Sequence, residues 1–165
     1  MSMSENVLTE SLQRDPGAEN YVDRKRHLWI LSVLWPATPL IGLYLVAQTG
    51  WSIWYGLVLI LWYGAVPLID AMFGEDFSNP PESAVPRLEQ DRYYRVLTYL
   101  TVPIHYAALI VSAWWVSTQP MSVFEFLALA LSLGIVNGLA LNTGHELGHK
   151  KETFDRWMAK LVLAV

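Results

Sequence analysis

The residues with the most chemistry to offer are His145 and His149. They frame the string His145-Glu146-Leu147-Gly148-His149, where a long apolar stretch gives way to Lys150-Lys151. On an α-helix, positions four apart differ by about 40° in direction and about 6 Å in height. Two imidazoles so placed reach one metal ion or two adjacent ones. Four readings compete. The rings are solvated interface residues; or they are the zinc ligands of a His-Glu-x-x-His metalloprotease, with Glu146 activating the bound water; or they are one part of a larger histidine-rich di-iron site, since imidazole suits iron as well as zinc; or the segment is a non-catalytic packing element of a membrane.

Composition narrows the setting. The 165 residues are 53% hydrophobic and 13% aromatic, with a mean hydropathy of +0.29, too apolar for an ordinary soluble domain of this size. The net charge of −4 gives no footing for a nucleic-acid partner. There is no cysteine, so disulfides, thiolate zinc sites and cysteine-ligated iron–sulfur centres are excluded within the chain. A transition-metal site must use nitrogen and oxygen donors, and the available histidines are His27, His105, His145 and His149.

The elements that must position the pair are membrane helices. Apolar runs cover 28–47, 51–69, 96–117 and 122–142, each about 20 residues and so about 30 Å as a helix, the thickness of a bilayer core. A fifth run starts at Trp157 and is expected to continue past Val165. The predicted fold is all-α: a multi-pass transmembrane bundle of four spanning helices plus the start of a fifth. Residues 1–27 form a polar N-terminal segment with no signal-peptide pattern, and 28–165 form the transmembrane domain. All 11 Lys and Arg fall within 14–26, 87–95 and 150–160. If the four runs cross alternately, every basic residue lands on one side, which puts the N-terminus and the histidine pair in the cytoplasm. Trp29 and Trp157 then mark that interface, and Trp51, Trp54, Trp114 and Trp115 the opposite one. The proline-rich loop 74–95 is predicted to be irregular at first, with a short surface helix near Leu88–Tyr94.

Other residues invite a role. Pro36, Pro39, Pro67 and Pro103 interrupt apolar runs and predict kinks. His105, deep in the third run, is expected to face the bundle interior and bond across helices. Glu125 sits near the outer interface, solvated or paired in packing. Asp70 closes the second run on the metal's side and either orients an imidazole or marks the interface. Gly134-x-x-x-Gly138 and Gly144-x-x-x-Gly148 predict close helix contacts.

The flanks of the pair carry a resemblance. Asn142-Thr143-Gly144-His145-Glu146-Leu147-Gly148-His149-Lys150-Lys151 resembles the first histidine box of the membrane-bound alkane 1-monooxygenases (alkane ω-hydroxylases), which belong with the desaturase-like membrane di-iron proteins. Leu34-Trp-Pro-Ala-Thr-Pro39, Trp62-Tyr-Gly64 through Pro67-Leu-Ile-Asp-Ala-Met-Phe-Gly-Glu-Asp76, Arg92-Tyr-Tyr-Arg95 with Thr101-Val-Pro103, and His105-Tyr-Ala-Ala108 are similar to that family too, so the match runs from about Tyr21 to the last residue. The resemblance implies terminal hydroxylation of medium-chain n-alkanes to primary alcohols, with O2 as co-substrate and two irons in the complete enzyme. It implies electrons from rubredoxin, which an NADH-dependent rubredoxin reductase reduces, and residence in the bacterial inner membrane. It assigns His145 and His149 as iron ligands. The family's later boxes have no counterpart here, so the chain is expected to resemble an N-terminal portion and to be inactive alone. Glu146 is then expected to support the ligands or to pair with Lys150 at i+4. Trp62, away from the interfaces, is expected to wall the substrate channel and limit alkane length.

Overall fold

The computed structural model describes residues 21–74 and 80–165. Residues 1–20 of the predicted N-terminal segment, and Glu75 and Asp76 of the resemblance, lie outside them. Among the described residues every regular element is helical. In chain order these are α1 (Arg26–Leu34), α2 (Thr38–Thr49), α3 (Ser52–Phe73), α4 (Val85–Gln90), α5 (Arg92–Thr118), α6 (Val123–Gly148) and α7 (Thr153–Val162). Helices α3, α5 and α6 are long and apolar enough to cross a membrane, and α1 with α2 makes a fourth crossing if that bent pair counts as one. The fold is an all-α bundle of membrane-spanning helices.

The prolines act as their chemistry requires. The first apolar run is continuous but its helix is not: α1 and α2 meet at 63°. Pro36 has no N–H to continue the ladder, and Pro39 stands in the first turn of α2. The break is closed locally, because Trp35 C=O accepts both the Thr38 N–H at 3.0 Å and the Thr38 hydroxyl. In α3, Pro67 cannot bond the carbonyl of Tyr63, and the turn just before it, Leu61–Ala65, widens to a π-helix. Pro103 leaves α5 unbroken over 27 residues.

Boundaries also differ from the hydropathy limits. Helix α3 runs past Asp70 to Phe73. The surface helix is α4, earlier than expected, and it stops at Gln90 because Asp91 becomes the cap of α5: its carboxylate accepts the Tyr93 N–H at 2.9 Å. Helix α7 begins at Thr153, four residues before the fifth apolar run. It is amphipathic, with Asp155, Ala159 and Val162 inward and Arg156, Trp157 and Lys160 outward.

Two buried clusters hold the bundle. Leu43, Tyr55 and Leu129 pack toward the uncharged end, joined by Trp115 and Met121. Val102, Ala140 and Val162 pack toward the basic end, joined by Tyr106 and Met158. At the basic end, Arg26 grips Asp91 through two bonds of 2.7 and 3.1 Å. Asp23 accepts from Trp29 Nε1 at 3.0 Å and from the Tyr94 hydroxyl at 2.6 Å. The Tyr94 hydroxyl holds the Asp23 carboxyl below its usual range. These contacts fasten α1 to the foot of α5.

Candidate metal centre

His145 lies in the last turn of α6, a 26-residue helix about 39 Å long, and His149 is the residue that caps it. Helix α6 is pinned at several heights. At its start, Ser122 and Glu125 form a capping box: the Glu125 carboxylate accepts the Ser122 N–H at 2.7 Å and also the hydroxyl of Ser52 on α3. In the middle, buried Ser132 donates to the Tyr55 carbonyl at 2.9 Å. His105 Nδ1 lies 3.2 Å from Asn137 Oδ1, the cross-helix bond expected for an ionisable group at this depth. Near its end, Gly144 faces α7. A Cβ there would stand 2.6 Å from Leu163 Cδ2, so any larger residue forces the Leu163 side chain to move. The other small residues of the two predicted glycine patterns behave differently: Gly134, Gly138 and Gly148 have nothing within 4 Å of where a Cβ would be.

His145 and His149 come together as the spacing predicted. Their Nε2 atoms are 3.2 Å apart, with ring centroids at 4.5 Å and planes at 83°. Two imidazole nitrogens bound to one ion at about 2.1 Å each, at a tetrahedral or octahedral angle, are themselves about 3 Å apart, so the pair fits as two ligands of one metal. Both rings are exposed. Among the described residues no group of three or more His, Asp or Glu side chains is gathered to hold a metal ion. The residues present therefore fit part of a coordination shell.

The remaining predicted site residues are distributed around the pair. Glu146 bonds Lys150 at 2.7 Å, the i+4 partnership expected from the sequence, and Lys150 also reaches Glu89 at 2.8 Å. Burial pulls the Lys150 amine down, but the two carboxylates outweigh it and raise it overall. Asp70 is exposed in the last turn of α3, and neither imidazole bonds it. Trp62 sits on the π-helical turn and packs edge-on against Trp35, with centroids 4.7 Å apart.

Beside α6 lies a cavity of about 470 Å³. Trp29, Trp35, Leu88, Leu97 and Leu139 give it apolar walls, and His105, Thr101, Asp23, Glu89 and Glu146 line it as well. Trp35 lines this cavity and Trp62 supports Trp35 from behind. Glu146 thus joins the cavity to the turn that carries the histidines.

Sequence reasoning did not single out Asp155, which is 2% exposed and bonded by Arg95 and Tyr99. The available signal was an acidic residue on the apolar face of an amphipathic helix, in register with Ala159 and Val162. The capping role of Glu125 was also legible as Ser-x-x-Glu before an apolar run.

No protein-family model matches the chain. Individual relatives do. It is 87% identical over 163 residues to alkane 1-monooxygenase 1 of Alcanivorax borkumensis, covering 99% of this chain and 40% of that protein. It is 79% identical over 148 residues to an alkane 1-monooxygenase of Ectopseudomonas oleovorans, covering 90% and 37%. It is 35% identical over 149 residues to an alkane 1-monooxygenase of Acinetobacter baylyi, covering 86% and 36%. The chain spans about 40% of the length of the first of these relatives and less of the others. Over that span, the chain belongs to the alkane 1-monooxygenase family.

Proposed function

We propose that this chain forms part of a membrane hydroxylase that converts medium-chain n-alkanes to primary alcohols with O2. His145 and His149 supply two of the ligands to a di-iron centre. Bound iron supplies the oxygen chemistry; this chain's residues hold the metal, orient the alkane and limit water. Rubredoxin delivers electrons at the cytoplasmic face of the bacterial inner membrane, after reduction by an NADH-dependent reductase. The further ligands come from sequence of the kind the longer relatives possess, so the 165-residue chain by itself does not turn over.

One observation carries the reading: the two Nε2 atoms lie 3.2 Å apart on the basic end of an apolar helix, in a chain whose similar relatives are named as alkane monooxygenases. The cavity supports it. Its volume falls within the range of small-ligand pockets, and its apolar walls suit a saturated chain that already partitions into lipid. An alkane lying along Leu97 and Leu139 would meet Trp35 with Trp62 behind it. These two indoles then limit how far the chain extends.

The test is metal and substrate analysis of a full-length alkane 1-monooxygenase carrying this segment. The expected result is about two irons per chain. Trp62→Ser is expected to shift the preferred substrates toward longer alkanes. One zinc per chain would favour the His-Glu-x-x-His protease reading, and an unchanged length profile would remove Trp62 from the channel.

A further inference from the structure

Helix α7 is fastened to α5 and α6 by several contacts, of which three bear on the histidine turn. In its first turn, the Asp155 carboxylate is buried and takes a bond from Arg95 at 3.1 Å and one from the Tyr99 hydroxyl, both on α5. In its last turn, the Leu161 carbonyl accepts from the Tyr106 hydroxyl, also on α5, at 2.8 Å. The whole of α7 is ten residues long. Val162 and the residue after it, Leu163, press on Gly144, where a methyl group would force Leu163 to move. Gly144 is the residue before His145.

The connection between α6 and α7 is short. Residues 149–152 join them, and His149 itself caps α6, its N–H bonding the His145 carbonyl at 3.3 Å. The histidine turn is therefore held from both directions along the chain, by Gly144 against the end of α7 and by the tight link to the start of α7. Nothing among the described residues bonds either imidazole except the other imidazole. What this chain contributes to placing the rings is therefore the position of the backbone that carries them.

We propose that Asp155 is a positioning residue for the metal ligands: through its bonds to Arg95 and Tyr99 it fixes α7, and α7 fixes the backbone that aims His145 and His149. A buried carboxylate whose cationic partner is removed or mismatched is destabilised rather than merely loosened, so α7 has one preferred seat. Ligands held rigidly by their surroundings bind metal more tightly than the same ligands on a mobile turn. This rests on the metal-ligand reading of the pair, and the experiment separates the two.

The test uses a full-length alkane 1-monooxygenase carrying this segment, loaded with iron in detergent. Iron release to a ferrous chelator is timed, helicity is followed by circular dichroism, and octane hydroxylation is split into kcat and KM. Asp155→Asn is expected to release iron about tenfold faster with helicity kept, kcat lowered in step with iron content, and KM unmoved. Tyr99→Phe, which removes one hydroxyl, is expected to act in the same direction by less. Ser122→Ala, at the far end of the same helix, is expected to lower stability without changing iron release. Unchanged iron release in a folded Asp155→Asn variant overturns the proposal. If that variant fails to fold, unchanged release in Tyr99→Phe overturns it, as does equal acceleration by Ser122→Ala, which would mark a general loss of stability. His145→Ala/His149→Ala is the reference: if it keeps iron as well as the parent does, the metal-ligand reading falls and the positioning role falls with it.

Discussion

Helix α6 has two faces that the rest of the chain treats differently. One face, through Leu129, Ser132, Val136, Ala140, Gly144 and Leu147, is buried against α3, α5 and α7. The opposite face, through Leu127, Leu131, Gly134, Gly138, Leu141, His145 and His149, is exposed along its whole length. At about 100° per residue these exposed positions fall within an arc of roughly 80°. Lipid covers leucines without cost. It does not reward two open glycines; small residues in a membrane helix usually face protein. The sealed face serves stability. The bare face carries the histidine pair and the glycines that have no neighbour within this chain.

The largest losses are expected where the helices seal against one another. Asp155→Asn weakens the charged bonds from Arg95, which is partly exposed and keeps Glu152 as a partner, and from Tyr99, at a cost of about 1–3 kcal/mol. The expected outcome is a large loss of resistance to denaturing detergent, read from the helicity of the 165-residue chain in mild micelles. Gly144→Ala comes next. Its Cβ would overlap Leu163, and overpacking of this kind costs about 1–3 kcal/mol, read in the same titration as a lower midpoint. Ser122→Ala removes the cap of α6 and is expected to cost about 1 kcal/mol. A sharper test lies on the bare face. Gly134→Ala and Gly138→Ala meet no atom in this chain, so they are expected to be neutral or to stabilise it by up to about 1 kcal/mol through helix propensity. In a full-length relative, where other helices are expected to cover that face, the same changes should lower activity. Equal neutrality in both contexts would mean that lipid alone covers the stripe.

The same contrast shows what the sequence could reveal. The helices were legible because hydropathy and the positions of Lys and Arg report directly on the membrane. The nearness of His145 and His149 was legible because one helix carries both, so its period sets their geometry. The i+4 pair of Glu146 and Lys150 was legible for the same reason. What could not be read were contacts between helices. Asp155 finds Arg95 and Tyr99 some sixty residues earlier, and no local pattern names those partners. Four glycines looked alike as small-residue patterns, yet only Gly144 meets a neighbour. Trp62 was picked out by its depth, while the cavity wall is Trp35 and Trp62 stands behind it. The bend between α1 and α2 had its signal in Pro36 and Pro39, but its angle of 63° depends on packing.

The central claim is that the two imidazoles are iron ligands. It is tested most directly by iron stoichiometry and Mössbauer spectroscopy on a full-length enzyme carrying this segment, beside its His145→Ala/His149→Ala variant. The account predicts about two irons per chain in the parent, with iron and octane hydroxylation both lost from a variant that keeps its helicity. Zinc alone in the parent, or undiminished iron and octane oxidation in the variant, would contradict it.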